Sequence, residues 1–137
     1  MPNKTKSQLL NSLDAFTKAY LECALWSSMD NANARGGEPL DANYDVSDFT
    51  IKALEKCVAD CADFQTAQRE NLAQAPYINN EEYRASERAG HDFWLSRNGH
   101  GAGFFDRGSE PIWDTLQDAA ETCGEVNIKV YRGKLHI

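Results

Sequence analysis

The segment GHDFWLSRNGHGAGFFDRG, residues 90–108, concentrates the side chains of this chain that can do chemistry. Two histidines, two aspartates and two arginines stand there among four aromatic residues. Titratable and aromatic groups gathered on one short segment are typical of a binding or catalytic surface. Four of the nine glycines lie between 99 and 108, which indicates backbone at positive φ or a close approach to a neighbour. The candidate binding residues are His91, Asp92, Arg97, Asn98, His100, Phe105, Asp106 and Arg107.

No known catalytic motif explains this segment. The glycines at 99, 101 and 103 lack the spacing of a dinucleotide fingerprint, and no Lys-Ser/Thr pair makes them a phosphate loop. A histidine–aspartate dyad from 91, 92, 100 and 106 could do acid–base work, but no serine or cysteine nucleophile is placed beside it. The sequence therefore predicts no catalytic residue and favours binding over enzymatic activity, with a purely structural hairpin as the open alternative.

The four cysteines, Cys23, Cys57, Cys61 and Cys123, fall on or beside apolar stripes of predicted helices, where a free thiol behaves as a small core residue. The spacing of Cys57 and Cys61 would suit two metal ligands. Zinc needs two more, and the three histidines form no tight pair with a cysteine. We expect reduced thiols, as in a cytosolic protein, and neither a metal nor a cofactor.

The net charge is −7, and residues 38–90 hold eleven acidic side chains against five basic ones. Such a surface repels phosphate backbones and favours basic partners, so direct binding to duplex DNA is disfavoured. On the second predicted helix, Asp60 and Asp63 could form an acidic face that imitates phosphates. The alternative is that the acidic excess only keeps a small protein in solution.

A chain of 137 residues, 42% of them hydrophobic, is the size of one domain and can bury a core without staples. We therefore treat residues 1–137 as a single domain, with residues 1–5 expected to be flexible. No apolar stretch approaches the ~18 residues of a membrane span. The basic start is followed by an amphipathic segment rather than an apolar signal core, so secretion is not expected.

The elements that must position these side chains follow from periodicity and turn signals. Apolar residues at helical spacing predict a first helix over 6–29, followed by a loop over 30–43. A second helix begins near Asp45 or Ser47 and fades through 65–75, with Leu54, Cys57, Cys61 and Phe64 as its stripe. Asn79 opens a short third helix that ends at Gly90.

The period changes after Gly90. Alternation over 91–97, then Asn98-Gly99, then 103–107 predict a β-hairpin. A further helix begins at Pro111 and ends at Gly124, and alternation over 126–137 around a turn at 132–133 predicts a second hairpin. The predicted fold class is α+β: two long N-terminal helices, a short third helix, then β-hairpin, helix and β-hairpin forming a small antiparallel sheet.

The box AGHDFWLSRNGHGAGFFDRG, residues 89–108, resembles a family of small, mostly uncharacterised proteins encoded by tailed bacteriophages. The segments ALWSS (24–28), EPLDANY (38–44) and DCADF (60–64) are similar to that family too, as is the C-terminal helix and hairpin. Members usually carry Trp where Phe105 stands, a conservative departure. The resemblance supplies no catalytic residues. It implies a phage accessory protein that acts in the cytoplasm of the host bacterium.

Two function classes follow as expectations. The first is a non-catalytic protein that binds and modulates or inhibits a host factor, such as a bacterial defence system, through the 97–107 hairpin or the acidic face of the second helix. The second is a small-molecule or nucleotide-binding protein, with Arg97 or Arg107 on a phosphate and His91 or His100 as acid–base group. A plain assembly role and self-association both stay open.

Overall fold

The computed structural model describes residues 4–30, 38–77 and 84–137. Within these ranges the chain combines helices with two small antiparallel sheets, so the α+β class is confirmed in this coarse form. The helices are α1 (Lys6–Asn11), α2 (Ala15–Ser27), α3 (Ile51–Ala67), α4 (Arg69–Gln74), α5 (Ala85–Arg97) and α6 (Pro111–Thr122). Single 3-10 turns cover Leu40–Ala42, Val46–Asp48 and Phe104–Asp106.

The expectation of one sheet is wrong for the described residues, because the strands form two separate pairs. Strand β1 (Met29–Asp30) pairs with β2 (Glu38–Pro39), and β3 (Lys129–Tyr131) pairs with β4 (Lys134–His136). Arg132 and Gly133, with φ of 51° and 73°, make the turn between β3 and β4, as a two-residue hairpin loop requires. The C-terminal hairpin is thereby confirmed.

The first predicted helix is two helices, broken at residues 12–14. Asp14 caps α2, and its Oδ1 accepts a 2.7 Å hydrogen bond from the amide of Thr17. Since an aspartate at this position satisfies free amides at a helix start, it begins a new helix rather than continuing the old one. Apolar periodicity alone runs through the break, because Leu9, Leu13 and Phe16 all contact the same core.

The apolar stripe of the second predicted helix is confirmed: Leu54, Cys57, Cys61 and Phe64 of α3 are all buried. Its start is later than expected. Asp45 caps the 3-10 turn Val46–Asp48, and Thr50, whose Oγ1 accepts from the amide of Ala53, caps α3 itself.

The predicted hairpin over 91–107 is wrong, because residues 85–97 form α5. The buried residues of α5 recur at helical spacing, in the pairs Ala89/Gly90, Phe93/Trp94 and Ser96/Arg97, whereas the alternation of apolar and polar residues over 91–97 suggested a strand. The expected return strand contains a 3-10 turn over Phe104–Asp106. Its Phe104 is fully buried against Phe64.

The Asn98-Gly99 pair ends a helix rather than turning a hairpin. Gly99 has a φ of +66°, its amide donates to the carbonyl of Ser96, and the amide of His100 donates to the carbonyl of Leu95. This pair of bonds is the Schellman motif, which needs a left-handed residue just after the helix. An Asn-Gly pair is compatible with a hairpin turn and with the end of a helix, so the residues that pack around it determine which of the two forms.

Gly90 lies in the middle of α5, where it contacts α2, and does not end a helix as predicted. A Cβ atom at this position would stand 2.1 Å from the carbonyl oxygen of Phe16. Glycine therefore allows the two helices to approach closely. Around this crossing Phe93 stacks on Phe64 with ring centroids 4.1 Å apart and lies 5.3 Å from Tyr20, and these rings form the centre of the core.

The remaining predictions divide between the described and undescribed residues. Helix α6 begins at Pro111 as predicted, and Gly124, with a φ of +83°, follows its end. The predicted cap at Asn79 and half of the predicted loop over 30–43 lie outside the described residues.

Candidate functional site: a charged groove between α2 and α5

Arg97 lies inside the molecule and not on an exposed hairpin, since only 4% of it is accessible to solvent. Its Nε and Nη2 donate to the carbonyls of Gly124 and Cys123 at 2.8 and 3.0 Å. Its Nη1 donates to the hydroxyl of Tyr20 at 3.1 Å and to Asp60 at 2.9 Å. The guanidinium therefore ties α5 to α2, α3 and the end of α6, where a cation also complements the helix dipole.

The contacts of Arg97 separate Asp60 from Asp63, the two carboxylates that were predicted to form an acidic face on α3. Asp60 is half-buried and forms ion pairs with Arg97 and with Lys56 at 3.1 Å, whereas Asp63 is exposed. The two carboxylates consequently have different roles. Asp60 neutralises a buried charge, and Asp63 is the one available to an outside partner.

Asp92 is also internal, 1% exposed, and holds Arg107 in a two-pronged ion pair. Nε and Nη2 of Arg107 donate to Oδ2 and Oδ1 of Asp92, both at 2.8 Å. The hydroxyl of Tyr77 donates to Asp92 Oδ2 at 2.5 Å, and the Arg107 guanidinium lies 5.7 Å from the centre of the Tyr77 ring. Burial, and then the neighbouring Asp92, raise the pKa of Tyr77 well above its usual range, so the hydroxyl remains a donor.

The other residues of the predicted site do not converge. Asn98 links two chain segments: its side chain donates to the carbonyl of Trp94 and accepts from the amide of Val126 at 2.7 Å. Asp106 accepts from the amide of Gly103 at 3.3 Å within the 3-10 turn. His100 is exposed, and Phe105 is 42% exposed. Neither of these last two lines the groove described next.

An open groove of about 630 Å³ lies between α2 and α5 and is lined by two solvent-accessible polar residues of the box, His91 and Arg107. This volume falls within the range of small-ligand sites, roughly 300–1,000 Å³. Helix α2 supplies one wall and α5 the other, and the chain after α5 brings Arg107 to the same place. The lining residues are Leu13, Asp14, Ala15, Lys18, Ala19, Glu22, Glu87, Arg88, His91 and Arg107.

His91 is half-buried, and its ring lies against Trp26, with ring centroids 6.0 Å apart. Burial lowers the pKa of His91, against the opposing effect of Asp92 and Glu22, so the imidazole is neutral at pH 7. Its ring forms no hydrogen bond with the described residues, and Asp92 is already held by Arg107 and Tyr77. The structure therefore does not assemble an acid–base dyad of His91 and Asp92.

The charges of the groove balance. Three cationic side chains, Lys18, Arg88 and Arg107, face three carboxylates, Asp14, Glu22 and Glu87. In the described part of the chain, Lys18, Glu22 and Glu87 take part in no ion pair. Because His91 is neutral, the side chains that line the groove carry no net charge. The groove can therefore pair with a cationic or an anionic group of a ligand, and it does not favour a ligand of high net charge.

The thiols add no reactive group to this site. Cys23, Cys57 and Cys61 are buried, and Cys123 is exposed, contrary to its predicted place on an apolar stripe. Burial raises the pKa of Cys23 and of Cys57 to about 12. Among the residues that the structure describes, no group of three or more acidic, histidine or cysteine side chains could hold a metal ion.

Sequence reasoning missed the α2 wall of the groove. Lys18 and Glu22 are four residues apart on the polar side of a helix, a spacing that indicates only a solvated face. Nothing in the sequence pairs this face with Glu87 and Arg88 of α5, because that pairing depends on how the two helices cross. Only the glycine at position 90, understood as a point of close approach, could have indicated it.

Within the described ranges, no helix combines the length and apolar character needed to cross a membrane. Comparison with protein-family models, curated proteins and solved structures finds no match to this chain.

Proposed function

We propose that this protein is a tailed-phage accessory protein that acts in the cytoplasm of the host and binds a host factor, such as a component of a defence system, without catalysis. The resemblance of residues 89–108 to small phage proteins supports the setting. The groove between α2 and α5 supports binding and carries the proposal, since His91 and Arg107 of that segment line it.

The internal hydrogen bonds of the segment also favour binding over chemistry. Arg97 and Asp92, two of the predicted binding residues, hold α3, the end of α6 and Arg107 in place. They position the walls of the groove instead of contacting a ligand. A surface prepared by buried polar contacts in this way is suited to recognition.

Affinity purification from infected cells tests the proposal. Tagged protein is compared with a charge-reversed groove variant, Lys18→Glu with Glu22→Lys, and with His100→Ala, which changes an exposed residue outside the groove. We expect one host protein in stoichiometric amount with the parent chain and with His100→Ala, and its loss with the groove variant. Equal capture by all three would rule out the groove as the contact.

The acidic face of α3 is the competing contact surface. Charge reversal at Asp63 alone tests it, because Asp60 neutralises Arg97 and its reversal would disturb the fold. If Asp63→Lys abolishes capture and the groove variant does not, the partner binds α3 in the manner of a phosphate-recognising protein.

Binding of a small molecule is the second candidate, and the groove volume of about 630 Å³ favours it. In this case a compound, and not a host protein, accompanies the purified chain. The balanced charges make a polyphosphate nucleotide a poor fit, since each added negative charge meets the carboxylates of Glu22 and Glu87.

A further inference from the structure

The guanidinium of Arg107 is fixed in orientation from two directions. Asp92 binds its Nε and Nη2 edge with two 2.8 Å hydrogen bonds, and the ring of Tyr77 lies beside its plane. Asp92 is in turn held by the Tyr77 hydroxyl. The hydrogen bonds to Asp92 raise the pKa of Arg107 above its ordinary value, so the positive charge is permanent.

This anchoring uses only part of what an arginine can donate. A guanidinium has five N–H groups in a planar fork, and Asp92 accepts from Nε and Nη2. Nη1 forms no hydrogen bond with any described residue. The side chain is 32% exposed and lines the groove. Because the Arg107 side chain is already ordered, it loses little further conformational entropy when a ligand binds its free edge.

The surrounding charges select the kind of anion. Behind Arg107 stands the buried carboxylate of Asp92, and the groove itself holds three acidic side chains against three basic ones. A polyanion would be repelled, whereas one planar carboxylate matches the fork of the guanidinium. Glu22 and Glu87, with no ion-pair partner in the described residues, can accept a cationic group.

We propose that the groove binds a carboxylate at the free edge of Arg107, carried by a ligand whose neighbouring cationic group pairs with Glu22 and Glu87. The inference deepens the proposed function and rests on it for the biological source of the ligand. That source is either a side chain or C-terminus of the host protein, or a free small acid. The chemistry at Arg107 is the same for both.

The test titrates the full chain with N-acetyl-arginine, which carries one carboxylate and one guanidinium, and with N-acetyl-argininamide, which lacks the carboxylate. Nuclear magnetic resonance follows the Nε–H signal of Arg107 and the amide signal of His91. We expect the acid to shift both signals and the amide to leave the Arg107 signal unchanged. Equal shifts by both compounds, or tighter binding of ATP than of N-acetyl-arginine, would overturn the proposal.

Variants separate the two ends of the ligand. Arg107→Lys keeps a charge beside Asp92 but loses the fork, and should weaken N-acetyl-arginine binding about tenfold or more, the equivalent of one charge-assisted hydrogen bond. Arg132→Lys is the matched control, since Arg132 also lies over a tyrosine ring, 5.1 Å from the centre of Tyr131, but outside the groove. Unchanged binding by Arg107→Lys would contradict the assignment.

A second variant covers the case in which Arg107→Lys fails to fold. Glu22→Gln with Glu87→Gln should weaken N-acetyl-arginine binding and leave acetate binding unaltered or stronger. Weakening of both ligands to the same degree, or of neither, would overturn the proposal.

The biological source is settled on protein purified from infected cells. Displacement of the captured host protein by N-acetyl-arginine identifies that protein as the carboxylate donor, and a small acid seen by native mass spectrometry identifies a free ligand. A host protein captured through the groove but insensitive to N-acetyl-arginine leaves the proposed function standing and removes this inference.

Discussion

At the scale of single residues, some polar side chains of the 89–108 segment are buried and others are accessible to solvent. Asp92 and Arg97 are 1% and 4% exposed, and each forms several hydrogen bonds. Buried charges are tolerated only when paired in this way. His91 and Arg107, the neighbours that reach the groove, are positioned by these internal contacts. One short segment therefore contains both the supports and the surface of the site.

Replacement of Arg97 by methionine tests the internal role. It leaves Asp60 without its buried partner and the carbonyls of Cys123 and Gly124 without donors. We expect a loss of about 3–5 kcal/mol in the free energy of unfolding, measured by urea denaturation. Arg132→Met, at an exposed turn, is the control and should change stability by less than about 0.5 kcal/mol. A small effect of Arg97→Met would show that the contacts do not support the fold.

His91 makes stability depend on pH in a defined direction. Its pKa in the folded chain is lowered from 6.5 by burial, so the unfolded chain binds more protons as the pH falls. Stability should therefore be full above about pH 6.5 and decrease below it. Melting temperatures at pH 7.5 and 5.5 should differ less for His91→Gln than for the parent chain. His100→Gln, at an exposed position, should reproduce the parent difference, and an identical difference in all three would contradict the role of His91.

At the scale of elements, the crossing of α2 and α5 creates the site. Gly90 allows the close approach, Phe93 and Tyr20 fill the contact, and the two polar sides facing away from the core form the groove. The Schellman motif after Arg97 ends α5 and turns the chain toward the 3-10 turn. Arg107 then returns to Asp92 on α5.

Gly90→Ala should destabilise the protein although alanine is the better helix former. On propensity alone the change would stabilise an exposed helix by about 1 kcal/mol. Here the new methyl group would meet the backbone carbonyl of Phe16 at 2.1 Å, so we expect a net loss of about 1–3 kcal/mol. Thermal or urea unfolding measures it.

Ser86→Ala, an exposed position on the same helix, is the control for propensity and should be neutral or slightly stabilising. If Gly90→Ala were also stabilising, the helices would not be held at the separation seen here.

At the scale of the whole molecule, nearly all the buried hydrophobic residues that the structure describes belong to one cluster, to which helices and the C-terminal hairpin contribute. The amide of Thr50, at the start of α3, donates to the carbonyl of Leu135 at 3.0 Å, which attaches the last strand to that cluster. The thiols report on its integrity because three of the four are buried.

Thiol labelling is the corresponding prediction. With iodoacetamide at pH 8.5 and no denaturant, one group per chain, Cys123, should be modified, and mass spectrometry after urea treatment should find four. Cys123→Ser should abolish the native labelling, as a control. Rapid labelling of Cys23, Cys57 or Cys61 in the native state would mean that the core opens far more readily than its packing indicates.

Elements whose local signals agree with one another could be predicted from the amino-acid sequence. The apolar stripe of α3, the proline and glycine at the ends of α6, and the turn at 132–133 each have one local interpretation, and each is confirmed. The sequence also placed Asp92 and Arg107 among eight candidate binding residues of one short segment, but it did not indicate that these two form an ion pair.

Two features could not be predicted in this way: whether 91–97 is strand or helix, and which charged side chains are buried. Glycine adopts right-handed helical and left-handed backbone about equally readily, so Gly90 suits the interior of a helix as well as its end. Asn98-Gly99 suits a hairpin turn as well as the end of a helix. Whether Arg97 meets solvent depends on Tyr20, Asp60 and the end of α6, residues distant in sequence. The groove exists only where α2 and α5 cross, since burial and charge pairing are properties of the packed chain.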